Sequence, residues 1–178
     1  MFLIVGLGNF EPKYDGTRHN VGFAILDTMA NNFRASSKHE AEVAKTKLAD
    51  IQTILAKPTT FMNLSGRAVK SLAQFHKIPA SNIIIVHDDA DLPFGEMRMK
   101  FGGGSAGHKG VKSIIEELGT DRFWRLRFGI GRSENLEMSL DSFVLEPFTE
   151  AERSALETAI PEAARKIETH IASAFEQR

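Results

Sequence analysis

The chain has 178 residues, 42% of them hydrophobic and 25% charged, with a formal net charge of −1; that is ordinary globular material for one domain spanning residues 1–178. It has no cysteine, which excludes disulfides and thiolate metal sites. No apolar run approaches the roughly 20 residues of a membrane span, and the near-neutral total does not announce a nucleic-acid binder.

The start, MFLIVGLGNF, lacks a basic leader and a small-residue cleavage site. It therefore predicts a buried strand over Phe2–Val5 rather than a signal peptide, and a cytoplasmic protein. Residues 20–33 predict a helix: Val21, Ile25, Met29 and Phe33 recur every four residues, Leu26 joins them, and Asn20 stands at the N-cap. AEVAKTKLAD and QTILAK predict two strands. Ser65 is expected to cap a helix with Ala68, Val69, Leu72 and Phe75 on one face. Ile83–Val86 is a continuous apolar run, the pattern of a strand covered on both faces. Met97, Met99 and Phe101 alternate with Arg98 and Lys100, predicting a strand with one wet face. The loop FGGGSAG leads into a helix bearing Val111, Ile114, Ile115 and Leu118, and Phe123–Ile130 predicts another strand. Thr149 and Glu152 form a capping box for a helix expected to break at Pro161. A last helix should follow, with Ile167, Ile171 and Phe175 on one face. Helices and strands alternate without internal repeats or linkers. The predicted class is α/β: a single domain with a mixed, twisted β-sheet flanked by helices on both faces.

Three of these strands end in polar residues. The first delivers Asn9 through GLGN, another leads through KPTTFMN to Asn63, and IIIV runs into HDDAD. In open α/β sheets ligands bind beyond the carboxyl ends of the strands. Any one Asn or Asp there is more simply a turn former. Together, with His19 on the loop after the first strand, they point to a site. A histidine serves as general base when a carboxylate orients its other nitrogen, and Asp88 or Asp91 is placed to do so. Asn9 and Asn63 are uncharged amides suited to holding a water or an oxyanion. No GxSxG nucleophile is present, so a His-activated water attacking an ester fits the inventory. A metal at HDDAD is disfavoured, because adjacent ligands on an extended segment point in alternating directions.

Residues 95–132 carry eight Lys/Arg against four Asp/Glu, whereas residues 133–178 carry four against ten. A locally basic face steers a polyanion even at near-zero total charge. Lys100, Lys109 and Lys112 surround the glycine loop, whose position before a helix suits an anion. Arg125 and Arg127 share one face of their strand, which suits phosphates or an acidic neighbour equally. The loop is not a phosphate-binding Walker motif, since His108 stands where lysine is required. Gly6-Leu7-Gly8 alone is weak support for a dinucleotide site.

Taken together, GLGN, Tyr14, TRHNVG, KPTTFMNLSG, HDDADLPFG, KFGGGSAGHKG and RFGIGR, in that order, resemble the bacterial-type peptidyl-tRNA hydrolase family. The resemblance runs from Phe2 to about Phe148. It implies cleavage of the ester between a peptide and the 3′-terminal ribose of tRNA, with no metal or organic cofactor. It implies a monomer that needs no obligate protein partner and no membrane. By this resemblance His19 is the general base, Asp88 orients it, and Asn9 positions substrate or water. Asn63 binds the peptidyl backbone, with Tyr14 and Met62 lining the same crevice. Lys100 and Arg127 clamp tRNA phosphates, and His108 is the histidine of the glycine-rich loop. Three positions depart from the family pattern. Phe10-Glu11 replace the usual Pro-Gly, Lys109 replaces Asn, and Ser133 stands where Pro is frequent. Lys109 cannot accept a hydrogen bond but can donate to an oxyanion or phosphate in the substrate. Its charge near His19 would lower that ring's basicity. The alternative is a catalytically inactive RNA-binding module on the same scaffold.

Overall fold

Three isoleucines and a valine in a row, Ile83–Val86, need cover on both faces of a strand, and all four are fully buried in β5 (Ile83–Asp89). The computed structural model describes residues 1–176, with side chains to Ala174. β1 (Phe2–Gly6), β4 (Ile51–Pro58), β5 and β7 (Trp124–Gly129) are parallel neighbours. β3 (Ala41–Leu48) and a short β2 (Arg34–Ser36) extend the sheet antiparallel on one side, and β6 (Met97–Phe101) on the other. The order is β2-β3-β4-β1-β5-β7-β6, the expected mixed sheet. Only the three-residue edge strand β2 was without a sequence signal.

Alternate side chains of the central strands divide the core in two. Phe2, Ile4, Ile84, Val86, Leu126 and Phe128 pack against α1 (Val21–Met29) and α5 (Glu150–Glu176). Leu3, Val5, Ile54, Ile83 and Ile85 pack against α2 (Ser65–Phe75) and α3 (Lys109–Leu118). Helices therefore cover both faces, as the alternation of elements predicts.

Several boundaries and caps differ from expectation. α1 stops at Met29, and Phe33 lies beyond it, although it still packs on the core. Ser65 does not cap α2; its hydroxyl donates to the Met62 carbonyl at 2.8 Å. Phe75 is 56% exposed, and Ala73 takes the buried position instead. The predicted break at Pro161 is absent: α5 runs through it as one 27-residue helix. Leu156, Ala163, Ile167 and Ile171 are buried along one face of α5, and this packing outweighs the hydrogen bond that proline removes. The Phe175 side chain lies outside the described residues. The capping box is present, with Thr149 N–H donating to Glu152 Oε2 (2.7 Å) and Glu152 N–H to Thr149 Oγ1 (3.2 Å).

Candidate active site

The site begins with a close approach that only glycine permits. A Cβ on Gly22 would lie 2.4 Å from the Val86 carbonyl oxygen and 2.5 Å from the Leu7 nitrogen. The first turn of α1 thus rests directly on the backbone of β1 and β5. The preceding 3₁₀ turn, Arg18–Asn20, is thereby set over the carboxyl end of β5, where Asp88 emerges.

His19 Nδ1 lies 3.0 and 2.9 Å from the two carboxylate oxygens of Asp88. His108 Nε2 reaches Asp88 Oδ1 from the other side at 2.9 Å. The opposite nitrogen of His108 caps α3, where Nδ1 accepts from the Gly110 and Val111 N–H groups at 3.2 and 3.3 Å. An imidazole nitrogen that accepts carries no proton, so the His108 proton is on Nε2 and is donated to Asp88. Asp88 is buried at 3% exposure. Burial opposes its charge, but the facing His19 and His108 rings outweigh that and hold the carboxyl well below its ordinary range. An ionised Asp88 only accepts, so His19 must present Nδ1–H to it. His19 Nε2 is then the accepting nitrogen, with no hydrogen-bond partner among the described residues.

His87 completes the wall. Its Nδ1 donates to the Asp88 carbonyl at 2.7 Å, and its ring packs edge-on against His108 with centroids 4.8 Å apart. Burial first, and the adjoining His108 ring second, push it down to about 3, so it is neutral. The ligand atoms of His19, Asp88 and His108 lie within 4.8 Å of one another, a set a divalent ion would accept. Their N···O separations and the capping role of His108 match a continuous hydrogen-bond chain.

Asn20 stands at the N-cap of α1, as expected, but its side chain makes no capping bond. Its Oδ1 accepts from the Asn9 N–H (2.8 Å) and its Nδ2 donates to the Asn9 carbonyl (2.9 Å). This two-point clamp fixes Asn9, whose Oδ1 accepts from the Met62 N–H at 3.1 Å. The Asn9 Nδ2 amide group has no hydrogen-bond partner among the described residues and lies on a groove also lined by Phe10, Thr59, Phe61 and Leu64. Met62 is buried in the core, where its sulfur would lie 2.5 Å from a Cβ on Gly110. Asn63 is exposed beside it with no hydrogen bond of its side chain among the described residues. Tyr14 sits on a 3₁₀ turn under Lys13, outside the cavity around His19.

The glycine loop is not an anion cradle. His108 consumes the amides at the start of α3, Gly103 N–H donates to Asp121 Oδ2 (2.9 Å), and the loop turns the Gly103 and Gly104 carbonyls toward Arg125. Arg125 is buried at 3% exposure, and its guanidinium serves as a prop for that loop. Arg98 and Arg127 face each other across β6 and β7, as do Lys100 and Arg125, so all four share one sheet face. Arg98 pairs with Glu96, and Arg127 Nε with Asp89 at 2.7 Å. Lys100 is exposed and has no ion pair among the described residues.

The cavity over His19 and Asp88 holds about 70 Å³. One rim is residues 105–109, and the other is α4 (Leu140–Phe143) with Val144. Lys109 Nζ bridges the rims to Asp141 Oδ2 at 2.9 Å. The Lys109 ammonium is thus directed across the mouth to α4. Ser105 also lines the cavity, yet its hydroxyl makes no hydrogen bond to either histidine. Sequence reasoning missed how residues 143–148 are held. His19 N–H donates to the Val144 carbonyl (2.8 Å), Arg18 N–H to Glu146 (3.1 Å) and Phe148 N–H to Gly16 (3.1 Å). The buried Arg18 side chain adds an ion pair to Glu152 at 2.9 Å and stacks on Phe143. The partners lie more than 120 residues apart, and no local pattern announces them.

A family model described as Peptidyl-tRNA hydrolase matches residues 3–178. A peptidyl-tRNA hydrolase of Mycobacterium sp. (strain KMS) is 45% identical over 178 residues, covering 98% of this chain and 92% of that one. One of Aliarcobacter butzleri (strain RM4018) is 45% identical over 168 residues, covering 94% and 91%. The crystal structure of peptidyl-tRNA hydrolase from Acinetobacter baumannii superposes with a TM-score of 0.90 at 32% identity, covering 99% of this chain and 91% of that one.

Proposed function

We propose, for a chain that belongs to the peptidyl-tRNA hydrolase family, a water-attack mechanism run by His19 and Asp88. The reaction is hydrolysis of the ester between the peptide and the 3′-terminal ribose of peptidyl-tRNA. One observation carries the assignment: a buried, ionised Asp88 takes an N–H from each of two histidines, and this leaves His19 Nε2 as the free base over the cavity.

His19 Nε2 removes a proton from water as the water oxygen bonds to the ester carbonyl carbon. Asp88 stabilises the imidazolium that forms. The clamped Asn9 Nδ2 donates to the oxyanion, a neutral donor held in place before charge develops. When the carbon–oxygen bond to the ribose breaks, the imidazolium proton passes to the 3′-oxygen, giving tRNA and a peptide carboxylic acid that loses its remaining proton to solvent. Asn63 binds the peptide backbone, with Tyr14 and Met62 shaping its path, Met62 through its backbone bond to Asn9. Lys100, with no ion pair among the described residues, and the Arg127 guanidinium take tRNA phosphates. His108 keeps Asp88 ionised, and Lys109 meets an anionic part of the substrate. Such backbone contacts carry no sequence code, so many tRNAs are accepted. The protein acts as a cytoplasmic monomer without an obligate protein partner; no helix among the described residues is long and apolar enough to cross a membrane.

The test is tRNA release from an N-blocked aminoacyl-tRNA by the wild type and Asp88→Asn. An asparagine carries no negative charge to stabilise the imidazolium, so turnover should fall about 10²–10⁴-fold. A wild type that binds the substrate and releases nothing would instead make the chain an RNA-binding module.

A further inference from the structure

The cavity over His19 is too small for what it must admit. At about 70 Å³ it falls well short of the roughly 300 Å³ at which ligand pockets begin, and it must receive an ester, a ribose and the attacking water. The mouth therefore opens. Its two rims are joined on the substrate side by one ion pair, Lys109 Nζ to Asp141 Oδ2 at 2.9 Å. Both partners are exposed, at 58% and 74% of their side chains, so the contact is weak and readily exchanged. α4 is held at both flanks: Phe143 and Val144 are buried at its far end, with His19 N–H on the Val144 carbonyl, and Met138 packs on the core before it. The approach through residues 134–137 is exposed, with Leu136 at 96%. Between these flanks Asp141 stands exposed on the rim, and its ion pair to Lys109 spans the mouth.

We propose that Asp141 is an internal stand-in for a substrate phosphate. In the free protein its carboxylate occupies Lys109 and closes the mouth. A phosphodiester of the tRNA acceptor end takes Lys109 in its place, and α4 is released from the rim as the 3′ end enters. The inference rests on the hydrolase reading of the same site. It assigns Lys109 a ligand, the nucleic-acid backbone rather than the peptide, and it makes Asp141 a competitor rather than a contributor to binding.

The experiment measures KM for an N-blocked aminoacyl-tRNA, and Kd for uncharged tRNA, with the wild type, Asp141→Asn, Lys109→Gln and the double variant. Asp141→Asn should lower KM and Kd about two- to fivefold, the weight of one exposed ion pair. Lys109→Gln should raise both. In the Lys109→Gln background, Asp141→Asn should change neither, because there is no cation left to free. Equal effects of Asp141→Asn with and without Lys109 would overturn the proposal, as would unchanged or raised constants in the Lys109 background. The binding arm keeps the two readings apart. A protein that hydrolyses nothing yet shows the Lys109-dependent tightening for uncharged tRNA retains the Lys109–Asp141 latch and loses the hydrolase. A protein that hydrolyses without that tightening does the reverse.

Discussion

His108 performs two tasks with two nitrogens, and they can be separated. Nδ1 caps α3, and Nε2 donates to Asp88. His108→Ala removes both, so it should cost about 1 kcal/mol of stability for the lost cap and about tenfold or more in turnover. His108→Asn restores a capping oxygen on a shorter side chain that falls short of Asp88. Denaturation midpoints should recover while turnover does not; recovery of both would show that the Asp88 contact is irrelevant. At this scale the sequence pointed to His19, Asp88 and Asn9, because strand ends and a histidine doorway are local patterns, and the fold joins the first two by a hydrogen bond. It placed Asn20 at the N-cap of α1 correctly, but its side chain is recruited by the Asn9 backbone eleven residues away rather than by the helix. It set His87 at the strand end only as a disfavoured metal ligand, because the burial of one ring within HDDAD is a tertiary fact.

Elements matter here for where they end and how closely they touch. α1 positions His19 only because Gly22 lets its first turn lie on Leu7 and Val86. Gly22→Ala should cost roughly 1–3 kcal/mol from overpacking and draw His19 away from Asp88. Turnover should fall more steeply than tRNA binding, since the basic face of β6 and β7 is untouched. A variant equally stable and equally active would mean that the close approach is not what sets the site. The strands were legible through period-two and continuous apolar patterns, and α3 and the start of α5 through their caps. Pro161 misled because a proline signals a break in isolation, whereas a buried face of four apolar side chains carries α5 across it. The glycine loop misled for a similar reason. Its composition suits an anion, but a histidine side chain reached the helix amides first and a buried arginine claimed the carbonyls.

For the molecule as a whole, these buried titratable groups make stability depend on pH. The folded state depresses His87 to about 3, below its ordinary 6.5. Its contribution is therefore complete above pH 6.5 and is lost as pH falls from there toward 3, while the unfolded chain takes up a proton the native chain refuses. Asp88, also depressed, adds a second loss below about pH 4. Urea midpoints should fall steadily from pH 6.5 downward, and His87→Gln should flatten the part of the curve above pH 4. A wild-type midpoint that stays flat to pH 4 would contradict the buried neutral ring. The global charge told little, since a total of −1 conceals a basic sheet face and an acidic carboxyl-terminal quarter. The architecture of two helical layers on a mixed sheet was readable throughout, whereas the stitching of residues 143–148 to the His19 turn required the fold.

The central claim is that His19 Nε2 is the base. The most direct measurement compares hydrolysis of an N-blocked aminoacyl-tRNA by the wild type and His19→Ala, with uncharged tRNA binding measured on both. The account predicts release of free tRNA by the wild type, loss of about 10²–10⁴-fold in turnover by the variant, and nearly equal affinities. Turnover that survives in His19→Ala would contradict the mechanism, and affinity lost together with turnover would make His19 a structural residue.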